Sequence, residues 1–229
     1  MIRRMQYRCS FKGDVAVTDS VLNKCREEFC LLIESSEVIN ASFYRYESMG
    51  FLYVEDYAKE EADHSLDIDS IMSALIPYLK PWPEEDGDRY FVPMINVYYH
   101  HVPGDDIDSW EHERLTSEKQ RVGRVAFVYP GKLPSYVMHH NAIVQEGLLK
   151  GDKYAFISVH ENLLFSYYEE PRNNVNIRDL DKESEVIKDW LLADPESHFD
   201  RVKAGGSNFL VIPCLFSVDR IDRAFERNS

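Results

Sequence analysis

The sequence predicts an α+β fold: two tandem βαββαβ units packed sheet to sheet as a pseudo-dimeric barrel. Three observations predict it. Strand-like alternation and helix-like spacing follow one another in the same order, β-α-β-β-α-β, in each half of the chain. The two hairpins match residue for residue, since "ASFYRYESMGFLYVE" (Ala41 to Glu55) aligns on "AFISVHENLLFSYYE" (Ala155 to Glu169) without a gap. The composition is that of a packed protein, with 44% hydrophobic and 29% charged residues in a chain of 229, long enough for two domains. A four-stranded antiparallel sheet with both helices on one face leaves its other face open, and two such faces can cover each other.

In the first half, "MQYRCS" alternates as a strand. "DSVLNKCREEFCLLIES" puts Val21, Leu22, Cys25, Phe29 and Leu32 near helical spacing, with Asp19 or Ser20 placed to cap it. "NASFYRY" and "FLYVEDY" are strands around the turn "ESMG". "DIDSIMSALIPYL" aligns Ile68, Ile71, Met72, Leu75 and Leu79 on one stripe, and "YFVPMINVYY" closes the half as a strand.

The second half repeats the order. "RVAFVY" is a strand, and "LPSYVMHHNAIVQEGLL" is a helix that Gly151 would end. "KYAFISV" and "LLFSYYE" form the hairpin, residues 171–182 a surface loop, "ESEVIKDWLLA" a helix and "NFLVIPCLFSV" the last strand. Between the halves "HHVPGDDIDSWEHERLTSEKQR" is polar, broken by Pro103-Gly104, with room for a short helix around Trp110. The expected domains are 1–103, a linker 104–121, and 122–229.

Charge and composition exclude several functions. A net charge of −14 is a poor match to a nucleic-acid backbone or an anionic membrane surface, both of which call for Lys and Arg. No apolar run reaches the ~20 residues a membrane helix needs, and no apolar stretch follows Met1-Ile2-Arg3-Arg4 as in a secretory signal. A cytoplasmic location is expected. The cysteines Cys9, Cys25, Cys30 and Cys214 show no Cys-x-x-Cys spacing and read as reduced thiols. The acidic runs "EDYAKEEAD", "PEEDGD" and "GDDID" read as solvated loops without a calcium-loop pattern, and "KAGGSN" as a turn rather than a phosphate loop. The aromatics in the strands are read mainly as core.

The candidate chemistry lies in "YVMHHNAI". On a helix, Tyr136, His140 and Ile143 share the apolar face, while His139 is turned about 100° toward solvent. Adjacent histidines on a helix do not converge, so no shared metal site is expected, and His64, His112, His160 and His198 stand alone in polar surroundings. Two readings of His140 are open: a core histidine bonded to Tyr136 or to a backbone carbonyl, or a general acid/base.

"RVAFVYPGKLPSYVMHHNAI" followed by "KYAFISVHENLLFSYYE" resembles the L-rhamnose mutarotase family over about residues 122–219. The matching positions are Arg124, Ala126, Phe127, Val128, Pro130, Gly131, Lys132, Tyr136, His140, Asn141, Ile143, Glu146, Tyr154, Leu163, Leu164, Phe165 and Trp190. The resemblance implies ferredoxin-like units in a dimeric α+β barrel and interconversion of the α and β anomers of L-rhamnose or a related sugar. It makes His140 the proton donor and Tyr136, Tyr154 and Trp190 the sugar contacts, with no metal or organic cofactor. Val144, Gln145 and Leu191 replace a Trp, a Pro and a second Trp of the family pattern, and the first half has no histidine in its first helix and Asn40 where Tyr154 would align. One site per chain is therefore expected, in the second half, with the first half as tethered structural partner and further homodimerisation open. A non-catalytic sugar-binding or regulatory module is the alternative. A monooxygenase-like enzyme of the same barrel type is a weaker third.

Overall fold

A computed structural model describes residues 1–57, 66–84 and 87–221. Along the chain run β1 (Ile2–Phe11), α1 (Asp19–Glu34), β2 (Val38–Tyr46), β3 (Met49–Tyr57), β4 (Ile95–Tyr99), α2 (Ile107–Thr116), β5 (Gln120–Phe127), α3 (Leu133–Glu146), β6 (Phe156–His160), β7 (Leu163–Glu170), α4 (Glu185–Leu192), β8 (Leu210–Ile212) and β9 (Cys214–Asp219). Two units form. One holds Met1–Met94, Pro103–Glu118 and the chain from Pro213, and the other holds Ile95–Val102 and Lys119–Ile212. The fold is mixed α+β with antiparallel sheets in both units.

The ungapped match of the two hairpins survives in three dimensions. β2 turns into β3 at Glu47 with φ 52°, and β6 into β7 at Glu161 with φ 56°, the aligned residue. Tyr53 donates to Glu55 Oε1 at 2.7 Å, and the aligned Tyr167 donates to Glu169 Oε1 at 2.6 Å.

In the first unit the sheet order is β9-β2-β3-β1, with Leu79–Lys80 and Val92–Pro93 also paired to β1. α1 covers one face with Cys25, Phe29, Cys30 and Ile33. Burying Phe29 and Ile33 contributes about 1.5–3 kcal/mol each. Its N-cap is Thr18 rather than Asp19 or Ser20, which begin the helix itself. The predicted second helix is shorter than its stripe suggests. It forms Ile68–Ile71, capped by Asp67 accepting from the Ser70 N–H, then tightens into a 3₁₀ turn, Ser73–Tyr78, that contains Pro77. Gly50 lies within β3 opposite Cys9, where a Cβ would come 2.5 Å from the Cys9 sulfur. The sulfur and the Phe11 and Phe43 rings fill the space. The segment expected as a linker holds α2, whose Trp110 and Arg114 are buried and reach Glu55. Residues 58–63 of the first acidic run and residues 85–86 of the second lie outside the described residues.

In the second unit the order is β8-β5-β7-β6-β4. α3 ends at Glu146, four residues before the sequence suggests, because Gly147 takes the left-handed cap at φ 71°. α4 is capped by Ser184, which accepts from the Ile187 N–H at 2.9 Å. Within the expected surface loop, Asn174–Val175 pairs with Gly151–Asp152.

Each half's closing run divides between sheets. Val92–Pro93 pairs with β1 of its own half, but β4 pairs with β6 of the other. Likewise β8 pairs with β5, while β9 pairs with β2. The units are therefore not the contiguous 1–103 and 122–229. Pro93 and Pro213 sit at the two breaks, and neither can donate to a ladder, so pairing ends there at little cost. The exchanged strands carry core residues: Phe216 of β9 lies 6.2 Å from Phe29 of α1, ring to ring, and Tyr98 of β4 enters the second unit's core.

Candidate functional site

The helix face of the second unit's sheet gathers Ala126, Val128, Ile157, Val159 and Leu164 beneath α3 and α4. Tyr136, His140 and Ile143 of α3 are its buried positions, as the spacing predicts. The structure brings Tyr136, His140 and Trp190 together. The Tyr136 and His140 rings stack at 3.8 Å, and the Trp190 ring stands edge-on to His140 at 5.0 Å and to Tyr136 at 6.0 Å. Tyr154 is fully buried but outside this cluster.

Three residues that the sequence did not single out complete the group. Tyr98 meets the His140 ring edge-on at 5.2 Å. It is delivered by a bulge in β4: Ile157 pairs with Tyr98 and Ser158 with Asn96, leaving Val97 as the extra residue. His198, expected to stand alone in polar surroundings, is instead 1% exposed, 4.7 Å from Trp190, with Nε2 3.0 Å from Ser135 Oγ. His100 packs on Tyr98 at 4.8 Å. His139 is half-buried on Trp190 at 5.2 Å rather than turned to solvent, because Trp190 bridges the two adjacent histidines. The places of Tyr98 and His100 are not visible in local periodicity, since they come from an exchanged strand and the residue just past it.

Three of the rings share one constraint. Nδ1 of His139, His140 and His198 faces the carbonyl oxygen four residues earlier, of Ser135, Tyr136 and Asp194, at 2.7, 2.8 and 3.1 Å. A carbonyl only accepts, so each Nδ1 carries hydrogen, and in the neutral ring Nε2 is the acceptor. Burial lowers the His140 pKa from 6.5 to about 4, with the Tyr136 carbonyl bond opposing and His139 and His198 adding to the shift. His140 is thus neutral at pH 7, a state that takes a proton more readily than it gives one. Burial also raises the Tyr136 and Tyr98 phenols, so both are protonated at pH 7. Among the described residues, neither phenol hydroxyl nor His140 Nε2 has a hydrogen-bond partner. Trp190 is 8% exposed and flanked by Tyr136, His139, His140 and His198, so it holds these rings in place more than it offers a free face.

Gly151 is a spacing element of the site. A Cβ there would lie 2.1 Å from His100 Nε2, and His100 Nδ1 is 2.9 Å from the Leu149 carbonyl. Gly151→Ala is expected to push the imidazole off this bond and cost about 1–3 kcal/mol. Urea unfolding checks it, and a loss under ~0.5 kcal/mol would show that the ring swings aside freely.

Among the described residues, no three His, Cys, Asp or Glu side chains gather as a metal ion requires, and no helix is long and apolar enough to cross a membrane. The first unit has a cleft of about 560 Å³ lined by residues including Tyr7, Ile68, Asp69 and Phe91. Its polar groups are already engaged: the Asp69 carboxylate accepts the Tyr90 and Phe91 N–H groups at 2.9 and 2.8 Å, and the Tyr7 hydroxyl donates to Met5 Sδ at 3.3 Å. It offers less acid/base chemistry than the histidine cluster.

No family model matches the chain, so the resemblance to the L-rhamnose mutarotases rests on the residues quoted above alone. No curated protein sequence matches it. Among solved structures, a candidate monooxygenase from Fusobacterium nucleatum is similar over 96% of this chain and 94% of its own, at 12% identity and a TM-score of 0.42. A candidate monooxygenase from Lactobacillus acidophilus is similar over 95% and 96%, at 4% identity and 0.42. An anthrone oxidase-like protein covers 96% and 97%, at 10% identity and 0.36. At these scores the likeness carries no argument about activity, and the function is read from the residues.

Proposed function

We propose that the second unit binds a small sugar, L-rhamnose or a relative, beside His140 and exchanges its α and β anomers. The observation that carries this reading is a neutral imidazole whose Nε2 is unpartnered next to two unpartnered, protonated phenols, Tyr136 and Tyr98. Nε2 takes the proton of the anomeric hydroxyl while a phenol hydroxyl protonates the ring oxygen. The C–O ring bond breaks, giving the open aldehyde. Rotation about C1–C2 and closure on the other carbonyl face return both protons. The base role replaces the donor role that the family resemblance implies, because burial favours the neutral ring and the Tyr136 carbonyl fixes its tautomer with Nε2 as acceptor. The exchange calls for no metal or organic cofactor.

Saturation transfer between anomer signals in proton NMR tests this. His140→Ala is expected to slow the catalysed exchange by about 100-fold or more. An equal rate in both proteins would remove the catalytic role. A binding module without turnover is the second reading, favoured by the covered rings of Trp190 and the separate position of Tyr154. Sugar-dependent stabilisation without anomer exchange would select it.

A further inference from the structure

Arg124 lies on β5 opposite Ser166 of β7 and Val211 of β8. It alternates with Ala126 and so shares the helix face that carries the histidine cluster. Its guanidinium is partly buried, with Nε donating to Ser166 Oγ at 3.1 Å. The Tyr168 and Phe209 rings lie 4.7 and 4.5 Å from its Cζ. A second guanidinium, that of Arg172, lies 4.6 Å from the same Tyr168 ring. Arg172 has only a loose 4.0 Å pairing with Glu170, both side chains being 48% exposed.

The chain carries 40 carboxylate side chains, yet among the described residues none forms an ion pair with Arg124. Its two terminal amino groups have no hydrogen-bond partner there either. Burial pulls its pKa below the usual arginine value, with Arg172 adding to the shift and Tyr168, Tyr136 and Glu170 opposing it. A partly desolvated guanidinium gains when an anion meets it. Cation–π contacts recover part of the desolvation cost but use the faces of the cation and not its donor edge. Arg124 couples electrostatically to Tyr136, and Phe209, which its guanidinium touches, packs against the cluster that holds Tyr136. Val211, beside Arg124 in the ladder, is 61% exposed, so the sheet edge is open there.

We propose that Arg124 is an anion anchor, and that the preferred ligand of the His140 site is a relative of rhamnose that carries an oxyanion, as a sugar acid or sugar phosphate does. The fork of two N–H donors suits a carboxylate or phosphate held in two places at once. This inference rests on the reading of the Tyr136/His140 face as a sugar site and specifies its substrate class.

The test uses the full chain with D-glucuronate, D-glucose 6-phosphate and neutral L-rhamnose as probes, read by titration calorimetry. At least one anionic sugar is expected to bind tenfold or more tightly than rhamnose, and Arg124→Gln to remove that preference, so that the variant holds the anionic sugar no more tightly than rhamnose. Arg124→Lys, which keeps the charge but loses the fork, is expected to restore part of it. The carboxylate and phosphate arms identify which oxyanion the fork holds. Equal affinity for charged and neutral sugars, binding by none of the three, or an anion preference that persists in a folded Arg124→Gln chain would overturn the proposal. Anion binding that depends on Arg124 without anomer exchange would uphold the anchor and overturn the mutarotation reading.

Discussion

Arg114→Met is expected to destabilise the protein by about 3–5 kcal/mol, the usual cost of breaking a buried ion pair from one side. Glu55 and Arg114 side chains are 0% and 1% exposed. Arg114 donates to both carboxylate oxygens at 2.7 and 2.8 Å, Trp110 Nε1 donates at 3.0 Å, and Tyr53 donates at 2.7 Å. Burial alone would raise the Glu55 pKa, but the Arg114 charge and these hydrogen bonds outweigh it and hold the carboxyl below its ordinary value. The native pair therefore contributes stability above the unfolded carboxyl pKa of about 4.3 and loses it as pH falls through the lowered folded value. In Arg114→Met only the Trp110 and Tyr53 hydrogen bonds still oppose burial, so the carboxyl pKa is expected to rise and the sign to reverse: stability is present below the unfolded pKa and lost as pH rises through the folded one. The variant's deficit should thus be largest near pH 7–8 and shrink on acidification. Glu111, pushed to about 7 chiefly by burial, also loses help from Arg114, so Glu55→Gln/Arg114→Met isolates the pair. That double variant should recover most of the loss in urea unfolding. A deficit below ~1 kcal/mol would show that the pair contributes no more than a surface one.

His140→Phe is expected to flatten the acid limb of stability while keeping ring packing against Tyr136 and Tyr98. The native imidazole is 9% exposed, and its pKa is lowered by burial from 6.5 to about 4. For a base with a depressed folded value, the unfolded chain binds the extra proton between pH 4 and 6.5. Stability is then full above 6.5 and falls as pH drops toward 4. The wild type should lose roughly 3 kcal/mol more than the variant between pH 7 and pH 4. Parallel urea curves at the two pH values would sink the idea of a neutral buried ring. The same shift bears on activity. A base with a pKa near 4 is weak at pH 7, and an anion held at Arg124 is the kind of neighbour that would raise it.

Much of the fold was legible because its signals are local. The 15-residue hairpin match forecast the aligned turns that fall at Glu47 and Glu161, which need only strand alternation and a shared turn, and the structure adds the paired Tyr–Glu bonds at aligned positions. The α3 face was legible for the same reason, since Tyr136, His140 and Ile143 lie at helical spacing. The end of α3 was misplaced because Gly147 and Gly151 both look like stops, and only packing reveals that Gly151 is kept small by His100. The short second helix of the first half was overextended because its stripe continues through Pro77, where a 3₁₀ turn keeps the apolar side chains inward.

By itself the sequence determined the order of strands and helices, the buried face of α3, and the candidacy of His140, because periods of 2 and 3.6 and a titratable ring on an apolar face are written in adjacent residues. Tertiary structure alone decided that β4 and β9 leave their own halves. It also decided that Tyr98, His100 and His198 pack around His140 and Trp190 while Tyr154 lies outside that cluster, that burial favours a neutral His140, and that Arg124 lacks a counter-ion among the described residues. The physical reason is that pairing partners, burial and the nearest charges come from residues tens of positions away, and the local pattern is the same whichever of them arrive.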